Sequence, residues 1–442
     1  MRCRHQCAFE EVDMQYRAKV LGLLAILGLL GLSLMLGQGQ GAKPAKLVIA
    51  AVAGDEDLGL KAVAPMYEKE TGIKLEIVES PYPQLYEKLV TTFQAGGQTI
   101  DMAMIDDPWM PKFGTEGWLE PLDALGFTRD PDIPSVVYDV GTWPPPKGPV
   151  PPSERNKQRR LYGMTIVGNV ELFTYRKDNS AAPRTWTDVL NTARRLNKPG
   201  YAGYVIRGAA TNPIVADWLP ILWSFGGDVF DNNWKCTLTS ANAVRAANFL
   251  VKDLKAVAQS GPENTDAADR SRLLMTGQGH QSTIWPGEVT GFTENPKVSK
   301  TIGKLAYIKM PGGPNGQPGR GMMGNWLLVI PKGSPNAKAS ADFIKWLISP
   351  STQKAYVDAG GIPSRLSILK DPAMSQKHAY FAALADSLAS GPNWRPRTDQ
   401  WNAVETSIGT NLNAALAGQQ TAEQAMQKAC SEIDAIMKKA GY

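Results

Sequence analysis

Two adjacent carboxylates, Asp106 and Asp107, stand where the apolar run IDMAMI gives way to a turn, and Asp55 and Glu56 follow the apolar run LVIAAV. Carboxylates so placed can serve as the acid and base that cleave a glycosidic bond, or can accept hydrogen bonds from a polyhydroxylated solute. Hydrolysis needs a second carboxylate across the sugar, and Asp106–Asp107 has no identifiable distal partner. The chain also has 12 tryptophans, and Trp109, Trp118, Trp143, Trp218, Trp223, Trp285 and Trp326 stand beside or near glycine or proline. Flat apolar rings stack on the C–H faces of a sugar, while carboxylates, amides and arginines take its hydroxyls. That set of residues suits a concave binding site with few polar contacts.

Other chemistries lack their residues. Of the three histidines, His5 precedes the most apolar run of the chain, and neither His280 nor His378 has a partner at metal-ligand spacing. No HExxH, CxxC, GxSxG or GxxxxGK[ST] pattern occurs, and GQGQG at 37–41 does not join a strand to a helix. We expect no catalytic residue, no metal and no cofactor. Lys plus Arg exceed Asp plus Glu by 47 to 42, a net +5, and the longest basic run is KQRR at 157–160. That charge is too thinly spread for a nucleic-acid surface.

The elements that must position these residues follow from periodicity. Strand-length apolar runs at 47–52 and 100–105, and IKLEIV at 73–78 with Ile73, Leu75 and Ile77 on one face, are interspersed with helical patterns, the first of which repeats Leu60, Val63, Ala64 and Tyr67 and stops at Thr71-Gly72. This is a βαβ arrangement in an α/β fold with a parallel sheet, whose strand ends at Gly54, Ser80 and Asp106 face one edge. Further helices are predicted over about 84–94, 240–258 and 421–439. The proline-rich GTWPPPKGPVPPS at 141–153 is neither helix nor central strand and reads as a rigid surface loop. At the N-terminus, Arg17 and Lys19 precede a 17-residue apolar run at 20–36, followed by small and polar residues. This is the pattern of a secretory signal, with cleavage expected near Gly41 and Met14 a second candidate start. Cys3 and Cys7 precede that run, so an exported chain keeps Cys236 and Cys430. Export permits a disulfide between them, with an inert thiol buried on the last helix's apolar stripe as the alternative for Cys430.

Seven segments, in order, carry a resemblance: LVIAAVAGDEDLGLKAVAPMYEKETGIKLEIVE, TIDMAMIDDPWMPKFGTEGWLEPLD, LYG…ELFTYRKD, PRTWTDVL, SFGGDVF, KLAYIKMPGG with NWLLVIPKGS, and ADFIKWLISPSTQKAYVDAGGIPSRLSIL. Together they resemble the extracellular solute-binding proteins of ABC sugar importers, the maltose-binding and polyol-binding type. Two features depart from it: the loop at 141–153, and Met164 where the family commonly has proline.

The resemblance implies a periplasmic binding protein of type II, with two α/β lobes and a ligand cleft between them. Residues 1–41 would be the signal and the segment before it. The N-terminal lobe would comprise 42–165 plus 303–352, and the C-terminal lobe 166–302 plus 353–442. A monomer would bind a sugar or sugar alcohol in the periplasm by lobe closure and deliver it to an ABC permease in the inner membrane. It would have no enzymatic activity and no nucleic-acid partner. Alternative solutes are a polyamine, a glycerophosphodiester or an acidic sugar, and the alternative class is an exported glycoside hydrolase. By position, the implied ligand contacts are Asp55, Glu56, Tyr82, Asp106, Asp107, Trp109, Asn169, Trp223, Trp285, Asn325, Trp326 and Arg365. Within that set, Trp285 and Trp326 would stack, Asp107 would bind hydroxyls, and Arg365 would offer a donor fork or form an inter-lobe salt bridge.

Overall fold

The computed structural model describes residues 43–442 apart from Gln98, so the expected secretory signal and cleavage site, His5, Cys3 and Cys7 lie outside the described residues. Ten strands are present: β1 (Lys46–Val52), β2 (Lys74–Ser80), β3 (Met102–Asp106), β4 (Thr142–Trp143), β5 (Arg160–Leu161), β6 (Gly163–Val167), β7 (Leu172–Arg176), β8 (Gln281–Ile284), β9 (Leu305–Ile308) and β10 (Trp326–Val329). They form a five-stranded sheet in the order β2-β1-β3-β10-β6, a three-stranded sheet β8-β7-β9 and the short pair β4-β5. The two larger sheets are the cores of two lobes.

In the first sheet β1 runs parallel to β2 and β3, joined by the helices Leu58–Thr71 and Tyr82–Gln94, while β10 returns antiparallel between β3 and β6. Central β3 is buried along its whole length, whereas β2, at the edge, is buried mainly through Leu75. This is the difference expected between a strand covered on both faces and an edge strand. Gly72 ends the first helix at φ 70°, a left-handed conformation that glycine adopts without a Cβ clash. Asp101 ties the sheet together from beneath: its carboxylate accepts from the Val48 N–H at 2.8 Å and from Asn336 Nδ2 at 2.9 Å.

Two expected lobe boundaries move. β9 pairs with β7 in the second sheet, so the chain crosses back to the first lobe after residue 308 and not at 303. The helix Pro350–Asp358 packs on the first lobe, where the Tyr356 ring fills the space a Cβ at Gly59 would occupy. The Leu366 N–H bonds to the Asp132 carbonyl, so the last passage to the second lobe lies beyond this segment and not at 352. The loop at 141–153 is only partly a surface excursion. Residues 141–145 are buried, and the Trp143 indole N–H donates to the buried Glu154 at 3.1 Å.

In the second lobe the predicted helix over 240–258 is one course with a changed pitch, α over Ala241–Asn248, then a π turn Phe249–Leu254 and a 3₁₀ turn Lys255–Val257. The last helix, Ala422–Lys439, starts with a capping box in which Thr421 and Gln424 satisfy each other's backbone N–H groups. Cys430 on this helix is bonded to Cys236, with their Cα atoms 5.5 Å apart. Among the described residues no helix is long and apolar enough to cross a membrane.

The disulfide closes a span of 194 residues, and the chain-entropy model assigns a constraint of that length up to about 5 kcal/mol. Reduction is therefore expected to lower the urea midpoint, with a loss on the order of 2–5 kcal/mol. Unfolded, unreduced protein lacking residues 1–41 should present no alkylatable thiol, and finding two would refute the bridge.

Candidate functional site

The carboxyl ends of β1, β2 and β3 and the start of antiparallel β10 meet at one edge of the first sheet. Opposite them stand the starts of the helices Asn212–Ser224 and Ala267–Met275 and the turn after β8. Between these two walls lies a cavity of about 680 Å³, with Asn169, Met322, Gly324 and Arg395 at its back. Cavities of roughly this size hold small organic ligands.

Seven of the residues singled out by sequence line this cavity: Asp55, Glu56, Tyr82, Asp106, Asn169, Trp285 and Trp326. Tyr82 donates its phenol to Asp106 at 3.0 Å, and Arg395 closes a fork on the same carboxylate at 2.7 and 3.0 Å. Trp326 stands edge-on to Trp109 and to Tyr82, with ring centroids 5.7 and 5.8 Å apart. Trp285 lies against Gly324, where an added Cβ would come within 2.7 Å of the indole. Asn169 is 4% exposed, and its Oδ1 has no hydrogen-bond partner.

The other five lie off the cavity, each for a physical reason. Asp107 is fully buried: its carboxylate accepts from the Asn325 N–H at 2.9 Å and lies 3.2 Å from Arg395, so it is a counter-ion and not a hydroxyl acceptor. Asn325 is buried with it, its amide 3.4 Å from the Thr165 hydroxyl. Trp109 is 1% exposed and backs the ring of Trp326. Trp223 sits in the second lobe's core, on the helix Asn212–Ser224. Arg365 is neither a donor fork to solute nor an inter-lobe bridge. It is 3% exposed and pairs with Asp130 at 2.7 Å and Asp132 at 3.0 Å while donating to the Ile348 carbonyl.

Sequence reasoning missed the arginines. Arg395 and Arg397 alternate in the extended, proline-bounded segment WRPR, and that alternation was the available signal. Arg397 donates to the carbonyls of Asp107 and Val140 at 2.7 and 2.6 Å. Behind the opposite wall Arg270, fully buried, binds Asp217 and Glu288 together, and Arg207 lies 3.1 Å from Asp217. Nothing in the local sequence marks Arg270, whose partners come from elements 53 and 18 residues away.

Burial governs the charges. It pushes Glu56 up to about 7, with repulsion from Asp55, Asp106 and Glu288 adding to it. Asp107 is raised to about 6 by burial against the opposing pull of Arg395. Glu171 is fully buried, with neither carboxyl oxygen hydrogen-bonded, and lies well above its ordinary range through burial and Asp217. Among the described residues no group of three or more His, Cys, Asp or Glu is placed to hold a metal ion.

Two α/β lobes with a polar, aromatic-walled cavity between them define a solute-binding protein of the two-lobed kind. Residues 50–354 match the family model of the bacterial extracellular solute-binding proteins, and the chain belongs to that family, whose members work outside the cytoplasm or in the periplasm. It is 27% identical over 406 residues to a probable amino-acid ABC transporter periplasmic-binding protein of Sinorhizobium fredii, covering 90% of each chain. It is 25% identical over 435 residues to the mannitol-binding protein of Pseudomonas aeruginosa, covering 91% of this chain and 95% of that one. Among solved structures, maltose-bound MalE3 of T. maritima superimposes with a TM-score of 0.75 at 27% identity, over 88% of this chain and 99% of that one. A ribitol complex of a solute-binding protein from Agrobacterium radiobacter K84 shares the fold, with a TM-score of 0.77 at 23% identity over 89% and 100%.

Glu405, 7% exposed beside Asn212 at the back of the site, is pushed up to about 7 by burial, with Arg395 opposing and Asp106 reinforcing. A carboxyl raised in this way holds a proton in the folded state that the unfolded chain has already released, so stability falls as pH rises from about 4.5 to about 7. Glu405→Gln keeps an acceptor for Asn212 and cannot ionise. Urea denaturation should show the variant gaining on wild type by roughly 1–3 kcal/mol between pH 5 and pH 8. A difference independent of pH would show that Glu405 is already charged at the lower value.

Proposed function

We propose that the protein is the periplasmic solute-binding component of an ABC importer, and that it captures a sugar or sugar alcohol between its lobes for delivery to a membrane permease. The observation that carries this reading is the cavity itself. Trp285 and Trp326 offer ring surface from the two walls, and Asn169 at the back and Arg207 and Asn212 on the second wall offer polar contacts. Among the relatives and neighbours, the Pseudomonas aeruginosa protein is named for mannitol and the two solved structures hold maltose and ribitol, while the Sinorhizobium fredii relative is named for amino acids. The protein carries its solute without transforming it, as befits the transport family to which it belongs. It acts as a monomer, without nucleic acid or cofactor, and reaches the periplasm through the signal within residues 1–41.

A thermal-shift series over sugars and polyols should find a ligand that raises the melting temperature, because a molecule that binds only the folded state stabilises it. With that ligand, Trp285→Ala is expected to weaken affinity about 5- to 150-fold, equivalent to 1–3 kcal/mol, in calorimetric titration. Trp285 is only half-buried, so its ligand-free melting temperature should change little. Trp326→Ala should lose affinity and stability together, because Trp326 is packed on Trp109. Unchanged affinity in both variants would remove the tryptophans from the site.

Protein recovered from the periplasm should give an N-terminal sequence starting near Ala42. An intact Met1 or Met14 there would overturn cleavage.

A further inference from the structure

The cavity's charges are unequally matched. Among the described residues five carboxylates line it against two guanidinium groups, those of Arg207 and Arg395, with no lysine or histidine. Both guanidinium charges are already met. Arg395 grips Asp106 with two nitrogens and lies 3.2 Å from Asp107, while Arg207 lies 3.1 Å from Asp217. Glu288 is matched from behind by Arg270, and Asp266 caps its own helix by accepting from the Asp269 N–H at 2.9 Å. Asp55 and Glu56 are left over. Among the described residues neither carboxylate has a salt-bridge partner or a side-chain donor, and they are adjacent at the end of β1.

Independent of these acids, Asn169 presents an acceptor without a donor. Its Oδ1 is shut off from solvent and unpartnered, and the residue lines the same cavity. Asp55 is also packed close to the opposite wall. It lies against Gly287 and Gly291 of the opposite wall, and a Cβ added at Gly291 would approach its Oδ2 to 2.9 Å. Trp285, Trp326, Phe292 and Tyr82 add aromatic surface, which attracts a cation as well as stacking on the C–H face of a sugar. On the other wall, Arg207 and the helix start at Asn212 suit hydroxyl oxygens.

Resting on the sugar-or-polyol reading above, we infer that the preferred solute carries a protonated amine, an amino sugar or amino polyol whose ammonium is held by Asp55 and Glu56 while its hydroxyls face Arg207, Asn212 and Asn169. An ammonium has three donors and no acceptor, which suits a corner furnished with acceptors. Hydrogen bonds between charged groups are about twice as strong as neutral ones. A carboxylate-bearing solute meets no uncommitted cation in this cavity and is repelled by the leftover pair.

The test is a calorimetric titration with matched trios at pH 7.5: 1-amino-1-deoxyalditol, alditol and aldonate in the gluco, manno and galacto configurations. In at least one configuration the amine should bind about tenfold or more tighter than the alditol, and the aldonate should give no heat. In Asp55→Asn/Glu56→Gln the ratio of amine to alditol affinity should fall to about one. An alditol that binds as tightly as its amine, or an amine preference that survives in the double variant, overturns the inference and leaves the sugar-or-polyol reading standing. Silence from all nine compounds overturns both.

Discussion

Arg395 reaches the site from a late, proline-bounded segment and places two nitrogens on Asp106 at the end of β3, with Asp107 3.2 Å away. Isolated charges at this depth would cost several kcal/mol each, so the arrangement is tolerable only because carboxylate and guanidinium arrive together. Arg397 completes it by donating to the Asp107 and Val140 carbonyls. The Asn325 N–H bonds the Asp107 carboxylate and the Asp107 N–H bonds the Asn325 carbonyl, so the same array fixes where β10 begins. Trp326 is the next residue. The position of that indole in the cavity therefore depends on an ion pair formed by residues 289 apart in sequence.

The aromatic layer rests on this frame. Trp109 follows the two aspartates by a single turn and is enclosed by Tyr82, Tyr86 and Trp326, with centroids between 5.0 and 5.7 Å. Each ring meets its neighbour tilted or edge-on, the geometry favoured by the ring quadrupoles. Tyr82 belongs to both layers, since its ring packs on Trp109 while its hydroxyl bonds Asp106. Burial and the Asp106 charge push its phenol well above the ordinary range, so Tyr82 remains a donor at any ordinary pH.

The first lobe was readable from sequence because its signals are local. Alternation in β2, a continuous apolar β3 and the glycine stop after Thr71 each concern a few consecutive residues; the strand-end rule then placed Gly54, Ser80 and Asp106 at one edge, and the family resemblance added Asp55, Glu56 and Tyr82 beside them. Asp107 shows the limit of that reasoning. Adjacent carboxylates at a strand end look alike in sequence, but the strand stops at Asp106 and Asp107 opens a 3₁₀ turn, so Asp106 lines the cavity while Asp107 is buried against Arg395 and the Asn325 N–H. Arg365 and Arg395 show another limit. Both are arginines in proline-bounded turns of the late chain, and only the tertiary arrangement decides which meets the cleft. Arg365 is taken up by Asp130 and Asp132. The late crossings were misplaced for a similar reason: β9 reads as a strand whichever sheet receives it.

What makes such an arrangement a carrier is that its contacts are divided. A solute shifts an equilibrium between open and closed lobes only by the difference in its affinity for the two, however tightly it binds either. Here Asp55, Glu56, Tyr82 and Trp326 come from the first lobe's wall, and Arg207, Asn212 and Trp285 from the second's. A molecule that fills the cavity touches both sets at once, and parting the walls takes one set away. The back of the cavity contributes differently. Asn169 and Arg395 lie where the chain passes between the lobes, so they can hold a solute without favouring either state. Affinity and closure are thus assigned to different residues. The division follows from the fold, which sets strand ends against helix starts across a gap and leaves the crossings behind it.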